Sequence, residues 1–162
     1  MKKITFLATA MLFILTSTSL FAQNTYNGTW KFNGQESISG NLYANGSPKQ
    51  VTINQTGDTF DFESITTNQA GDAKTSESLT IGKPVEAKTP MDRKKVSTIQ
   101  WSADSKSLIE TTNIYSKTDA GKLDFKYTDT WTFESGKLIL DRKNENYTNG
   151  ETWESKATYE KQ

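Results

Sequence analysis

Three charged residues, Glu110, Asp129 and Arg142, stand out because each interrupts a run of apolar side chains on what reads as the buried face of a strand. Two carboxylates held side by side are what acid/base work of the glycosidase type requires. A carboxylate facing a guanidinium is instead an internal ion pair, which fixes strand register or offers a charged partner to a ligand. The rest of the composition narrows the chemistry. The chain has no histidine and no cysteine, so Ser-His-Asp and Cys-His nucleophiles are excluded, as is a His- or Cys-ligated zinc or haem. It has no P-loop, no G-x-G-x-x-G and no EF-hand spacing of acids. The reading is that Asp129 and Arg142 pair, that ligand contact is their second use and that catalysis has the least support. No metal or cofactor is expected.

Strands must bring these residues together. From residue 23 onward no segment carries an apolar stripe of 3.6-residue period. The runs alternate with period two and are rich in Thr, Tyr, Phe and Trp, which suit a half-buried pleated surface. The pattern predicts strands over 28–33, 49–55, 59–66, 76–82, 94–101, 107–117, 122–134, 137–147 and 151–160. Thr56-Gly57-Asp58, Ser135-Gly136 and Asn149-Gly150 are hairpin turns by composition, and Ala103-Asp104-Ser105-Lys106 and Asp119-Ala120-Gly121 suit longer loops. Two connections are longer still, one from Gly34 to Ser47 and one from Gly82 to Arg93 with Pro84 and Pro90. Sequential hairpins imply an up-and-down antiparallel meander. Closing it into an all-β barrel of eight or nine strands removes its exposed edges, whereas a two-sheet sandwich would need longer crossovers.

Turn geometry then sets the register. A two-residue turn at Ser135-Gly136 puts Phe133 opposite Leu138, Trp131 opposite Leu140 and Asp129 opposite Arg142, with Cβ atoms about 5 Å apart. The same rule at Asn149-Gly150 puts Asn146 opposite Trp153, Arg142 opposite Ala157 and Leu140 opposite Tyr159. Four-residue loops at 118–121 and 103–106 put Glu110 opposite Asp129, Leu108 opposite Trp131 and Trp101 opposite Leu108. The expected interior has a belt of Trp101, Leu108, Trp131, Leu140 and Tyr159, and beside it a row of Ile99, Glu110, Asp129, Arg142 and Ala157. Tyr127, Asn144, Asn146 and Trp153 lie further along. One end is dry and aromatic and the other polar.

The first 22 residues follow a different rule. Lys2 and Lys3 precede an apolar run from Ile4 to Leu15, then Thr16-Ser17-Thr18-Ser19 and Leu20-Phe21-Ala22. That order is a secretory signal peptide, with cleavage expected after Ala22. The apolar run is too short to span a bilayer, which takes about 20 residues. Residues 23–162 are then one domain, with 17 basic against 19 acidic side chains. No basic patch invites a nucleic acid, and no membrane span is expected in the mature chain.

The mature chain opens with Tyr26-Asn27-Gly28-Thr29-Trp30-Lys31-Phe32, which resembles the Gly-x-Trp signature of lipocalins and the wider calycin group. The resemblance, to an exported bacterial lipocalin-like domain, implies a barrel with Trp30 closing one end and a loop at 34–47 covering the mouth. It also implies a basic residue from a late strand packing on the Trp, for which Arg142 and Lys156 are the candidates. The Thr-Asp-Tyr motif often found between strands six and seven is absent.

The expectation is an exported, periplasmic or secreted binding protein, not an enzyme and assumed monomeric, holding a small apolar or amphipathic molecule. Trp101, Glu110, Tyr127, Asp129, Trp131, Arg142, Trp153 and Tyr159 are its candidate ligand contacts. The alternative is a filled barrel acting as an interaction or inhibitor module through loops 34–47 and 83–93, with Leu42, Tyr43 and Val85 exposed.

Overall fold

Alternating side chains and short turns produce ten antiparallel strands. The computed structural model describes residues 26–39, 47–68 and 70–162; residues 1–22, expected to be a signal peptide, and Leu42 and Tyr43 lie outside them. The strands are β1 (Gly28–Ser39), β2 (Gln50–Thr56), β3 (Thr59–Asn68), β4 (Gly71–Thr80), β5 (Val85–Lys88), β6 (Lys94–Trp101), β7 (Ser107–Tyr115), β8 (Leu123–Glu134), β9 (Lys137–Asn146) and β10 (Thr152–Lys161). No helix occurs among the described residues. The sheet runs β4-β3-β2-β1-β10-β9-β8-β7-β6-β5, so the first and last strands are neighbours at its centre. Its edges approach where Ile81 bridges Ile99 and Gly82 N–H donates to Ile99 O at 2.9 Å. The result is an all-β, nearly closed barrel.

The strand count exceeds the expected eight or nine. The added strand, β5, lies inside the connection read as loop 83–93 and pairs with β6. Val85 there is part-buried against the core, not exposed. The connection after the first strand also shortens. β1 continues to Ser39 along β10, with register shifts between Phe32 and Gly34 and between Gln35 and Ser37. Those bulges interrupt the period-two pattern, which is why the strand seemed to end at Asn33.

Turn chemistry explains which registers were foreseen. Ser135 and Gly136 both take positive φ, 52° and 81°, the type I′ geometry whose twist suits a two-residue hairpin. Phe133 pairs with Leu138, Trp131 with Leu140 and Asp129 with Arg142, as the turn requires. Glu110 pairs with Asp129, Leu108 with Trp131 and Trp101 with Leu108. The last hairpin differs by two residues: Arg142 opposes Ser155, Leu140 opposes Ala157, Leu138 opposes Tyr159 and Asn144 opposes Trp153. The cause is Asn146, whose Oδ1 accepts from Thr148 N–H at 2.9 Å and from the Thr148 hydroxyl at 2.5 Å. This local side-chain capture makes a longer loop, closed by Gly150 N–H to Asn146 O at 2.8 Å, in place of a two-residue turn. A shift of two keeps the inward face inward.

The core fills one end of the barrel. Trp30, Val51, Ile53, Phe60, Leu79, Ile99, Leu108, Leu138, Leu140 and Tyr159 are fully buried there. Each such large side chain stabilises the fold by about 1.5–3 kcal/mol through burial. Tyr26, just before β1, closes this end, its hydroxyl hydrogen-bonded to Trp131 O at 3.0 Å and to Lys106 O at 3.1 Å. Burial pushes that hydroxyl up to a pKa of about 12. The Trp30 indole donates to Tyr26 O at 2.8 Å, and its ring carries Lys161 Nζ at 5.5 Å from the centroid. The basic residue packed on the tryptophan is therefore Lys161, in place of Arg142 or Lys156, because β10 pairs with β1 and brings Lys161 opposite Trp30.

Candidate ligand-binding cavity

The opposite half of the barrel is hollow, with a cavity of about 700 Å³ that opens to solvent. Its floor is aromatic: Phe62 on β3 stacks near Trp131 on β8, with ring centroids 6.1 Å apart and planes at 29°. From Trp131, each two-residue step along β8 exposes Asp129, Tyr127 and Phe125 in turn to the cavity wall. The far wall is small. Ser64 and Thr66 of β3 and Ala73 and Thr75 of β4 line the space as well, Thr112 of β7 is the small neighbour of Tyr127 in its own wall, and the volume these side chains leave unfilled is the cavity. A filled barrel is not what these residues build.

Six of the eight candidate contacts line this space: Glu110, Tyr127, Asp129, Trp131, Arg142 and Trp153. Two do not. Trp101 packs into the dry core against Tyr26 and Phe60, with ring centroids 6.0 Å away in each case. Tyr159 is fully buried beneath the floor, 6.2 Å from the Trp131 ring and 6.0 Å from that of Phe32. The two-residue shift of the last hairpin moves Tyr159 one layer toward the closed end. Wall residues outside that set of eight are Phe62, Glu77, Lys95 and Phe125, and Asn144, expected on the interior face, lines the space as well. The signal for the β3–β4 wall was present in its inward run of small side chains, but the register there rests on turns the sequence marks weakly.

Charge inside the cavity is arranged as two ion pairs, with Glu110 and the exposed Glu151 outside them. Arg142 Nε donates to Asp129 Oδ1 at 2.7 Å and Nη2 donates to Oδ2 at 2.5 Å. Burial opposes the Arg142 charge, but Asp129 outweighs it and holds the guanidinium above its ordinary pKa. Lys95 on β6 pairs with Glu77 on β4 across the line where the sheet edges meet. Glu110 has no ion pair among the described residues; its contact is a long one at 3.5 Å from the Thr112 hydroxyl. Burial first, and then the negative charges of Asp129 and Glu77, push the Glu110 carboxyl up to about 7, against the pull of Lys95 and Arg142. Burial likewise raises Tyr127. At the rim, Arg93 pairs with Asp124 on the outer face of β8 and lies 5.0 Å over the Phe125 ring, tying the β5–β6 connection to the wall. No group of acids suited to a metal ion occurs among the described residues.

The arrangement can enclose a molecule with an apolar body on the Phe62–Trp131 floor and a polar group beside Glu110. It is poorly suited to paired-carboxylate catalysis, since Asp129 spends both oxygens on Arg142.

No family model matches the chain, and no curated protein matches it. Solved structures do match. Apo Caenorhabditis elegans lipid binding protein 8 aligns over 89% of this chain and 100% of its own, with a TM-score of 0.59 at 15% identity. Zebrafish ileal bile acid-binding protein, complexed with cholic acid, aligns over 85% of this chain and 99% of its own, with a TM-score of 0.53 at 18% identity. At these identities the likeness is one of fold: a calycin-type barrel.

Proposed function

We propose that this is an exported binding protein that carries a small apolar or amphipathic molecule in the hollow half of its barrel. The observation that carries the reading is the cavity itself. Its volume, about 700 Å³, lies within the roughly 300–1,000 Å³ of small-molecule sites, and its lining sets an aromatic floor against walls that carry hydroxyl and charged groups. The solved structures that share the fold are named as lipid- and bile acid-binding proteins, which supports binding over turnover. The engagement of Asp129 by Arg142 argues the same way. Export rests on residues 1–22, and the periplasm or the medium is the proposed destination. Glu110, Tyr127, Asp129, Trp131, Arg142 and Trp153 are the proposed contacts; Trp101 and Tyr159 support the floor from beneath.

Native mass spectrometry tests the binding. The full chain is expressed, and the protein is purified without detergent. The expected result is a reproducible extra mass that leaves on denaturation. A bare mass, together with unchanged tryptophan fluorescence against lipids and hydrophobic probes, would overturn the reading. Fractionation of the same cells checks the address: retention in the cytoplasm with residues 1–22 attached would overturn export.

A further inference from the structure

The lining acids are Glu77, Glu110, Asp129 and Glu151, and the lining bases are Lys95 and Arg142. Both bases are committed, Lys95 to Glu77 and Arg142 to Asp129. A carboxylate headgroup entering the cavity would find no free cation on this wall, and would meet Glu110. The rings add to the imbalance. Phe62, Phe125, Tyr127, Trp131 and Trp153 all line the same space. Aromatic faces attract cations through their quadrupole, most strongly when water is excluded, and rings grouped around a quaternary ammonium are a recurrent means of holding one. An enclosed, unpaired carboxylate is costly, and a ligand cation is the partner it lacks.

We infer that the cavity selects a cationic amphiphile, an ammonium group on an apolar body, with Glu110 as the counter-charge and the surrounding rings as the cage. This rests on the binding reading above and names the chemical class of the molecule bound. The apolar body lies on the Phe62–Trp131 floor. The groups that share the cavity with Glu110 are Glu77 from β4, Lys95 from β6, Tyr127 and Asp129 from β8, Arg142 from β9 and Glu151 just before β10. Glu110 and Glu151 have no salt partner among the described residues, and Glu151 is solvent-exposed, which leaves Glu110 as the part-buried one. Its carboxyl, at about 7 in the empty cavity, must ionise to meet a cation, so binding at neutral pH expels protons from the protein.

The test uses three probes with the same tail: dodecyltrimethylammonium, dodecanoate and dodecanol, each below its micellar concentration. Binding is measured by titration calorimetry at pH 7 in two buffers of different ionisation enthalpy. The cation is expected to bind at least about tenfold more tightly than the carboxylate, with net proton release. Glu110→Gln is expected to cut that preference by about tenfold or more. Should that variant fail to fold, proton release by the wild-type protein decides alone. Dodecanoate binding as tightly as the cation, or a cation bound without proton release, overturns this inference while leaving the binding reading intact. No binding of any of the three overturns both.

Discussion

Asp129 on β8 and Arg142 on β9 stand directly opposite each other and join through two parallel hydrogen bonds within the wall of the cavity. A planar guanidinium meeting both oxygens of one carboxylate is the strongest geometry such a pair adopts. Both side chains are largely withdrawn from solvent, so the pair is sensitive to losing one member.

Arg142→Met leaves Asp129 charged and enclosed without its partner. The expected loss of stability is about 3–5 kcal/mol, measured as a shift in the urea midpoint at pH 7. Combining it with Asp129→Leu is expected to restore much of that loss, because two apolar side chains leave no enclosed charge behind. A single variant as stable as the wild type would mean that the pair contributes nothing to the fold.

Glu110 makes stability depend on pH in the opposite sense from a salt-bridged acid. Its folded pKa, about 7, lies above the ordinary 4.5. Between those values the native state holds the proton while the unfolded chain releases it, so stability falls as pH rises through this window. Glu110→Gln removes the effect. The variant is expected to match the wild type near pH 4.5 and to be the more stable at pH 8, by on the order of 2 kcal/mol. Thermal midpoints at the two pH values check this; equal differences at both would contradict it.

Gly28 has a backbone that disfavours any side chain. Its φ is +136°, and an added Cβ would lie 2.6 Å from Lys161 Cε. Gly28→Ala is expected to cost about 1–3 kcal/mol and to push Lys161 off the Trp30 face. Lys161→Ala in the same chain relieves the contact but not the backbone strain. The double variant should therefore remain less stable than Lys161→Ala alone, as read by thermal melts.

How far the sequence reveals this molecule depends on what fixes each feature. The Glu110–Asp129–Arg142 row was legible because local turns set two registers and a period-two pattern did the rest. The Asn149-Gly150 turn was misread because the competing signal, the Asn146 side chain, is three residues away and acts by capturing Thr148. β5 was missed because Val85-Glu86-Ala87-Lys88 is short, mixed in character and flanked by prolines. Lys161 was invisible as the partner of Trp30, since the β1–β10 pairing joins opposite ends of the chain and no turn announces it. The cavity was not legible either. It depends on volumes summed over facing strands, where Ser64, Ala73 and Thr75 fall short of filling the space across from Tyr127 and Trp131.

The central position of β1 and β10 in the sheet also governs how the barrel is made. β1–β4 and β5–β10 are two meanders held by neighbours in sequence. Each begins to pair as soon as its own hairpins exist. The seam that joins them links Trp30 to Lys161, a contact of very high sequence separation, and such contacts slow folding because a long loop must close first. The hollow therefore cannot exist on a growing chain: until the final strand is free to slot between β1 and β9, there are two half-walls and nothing to enclose a guest.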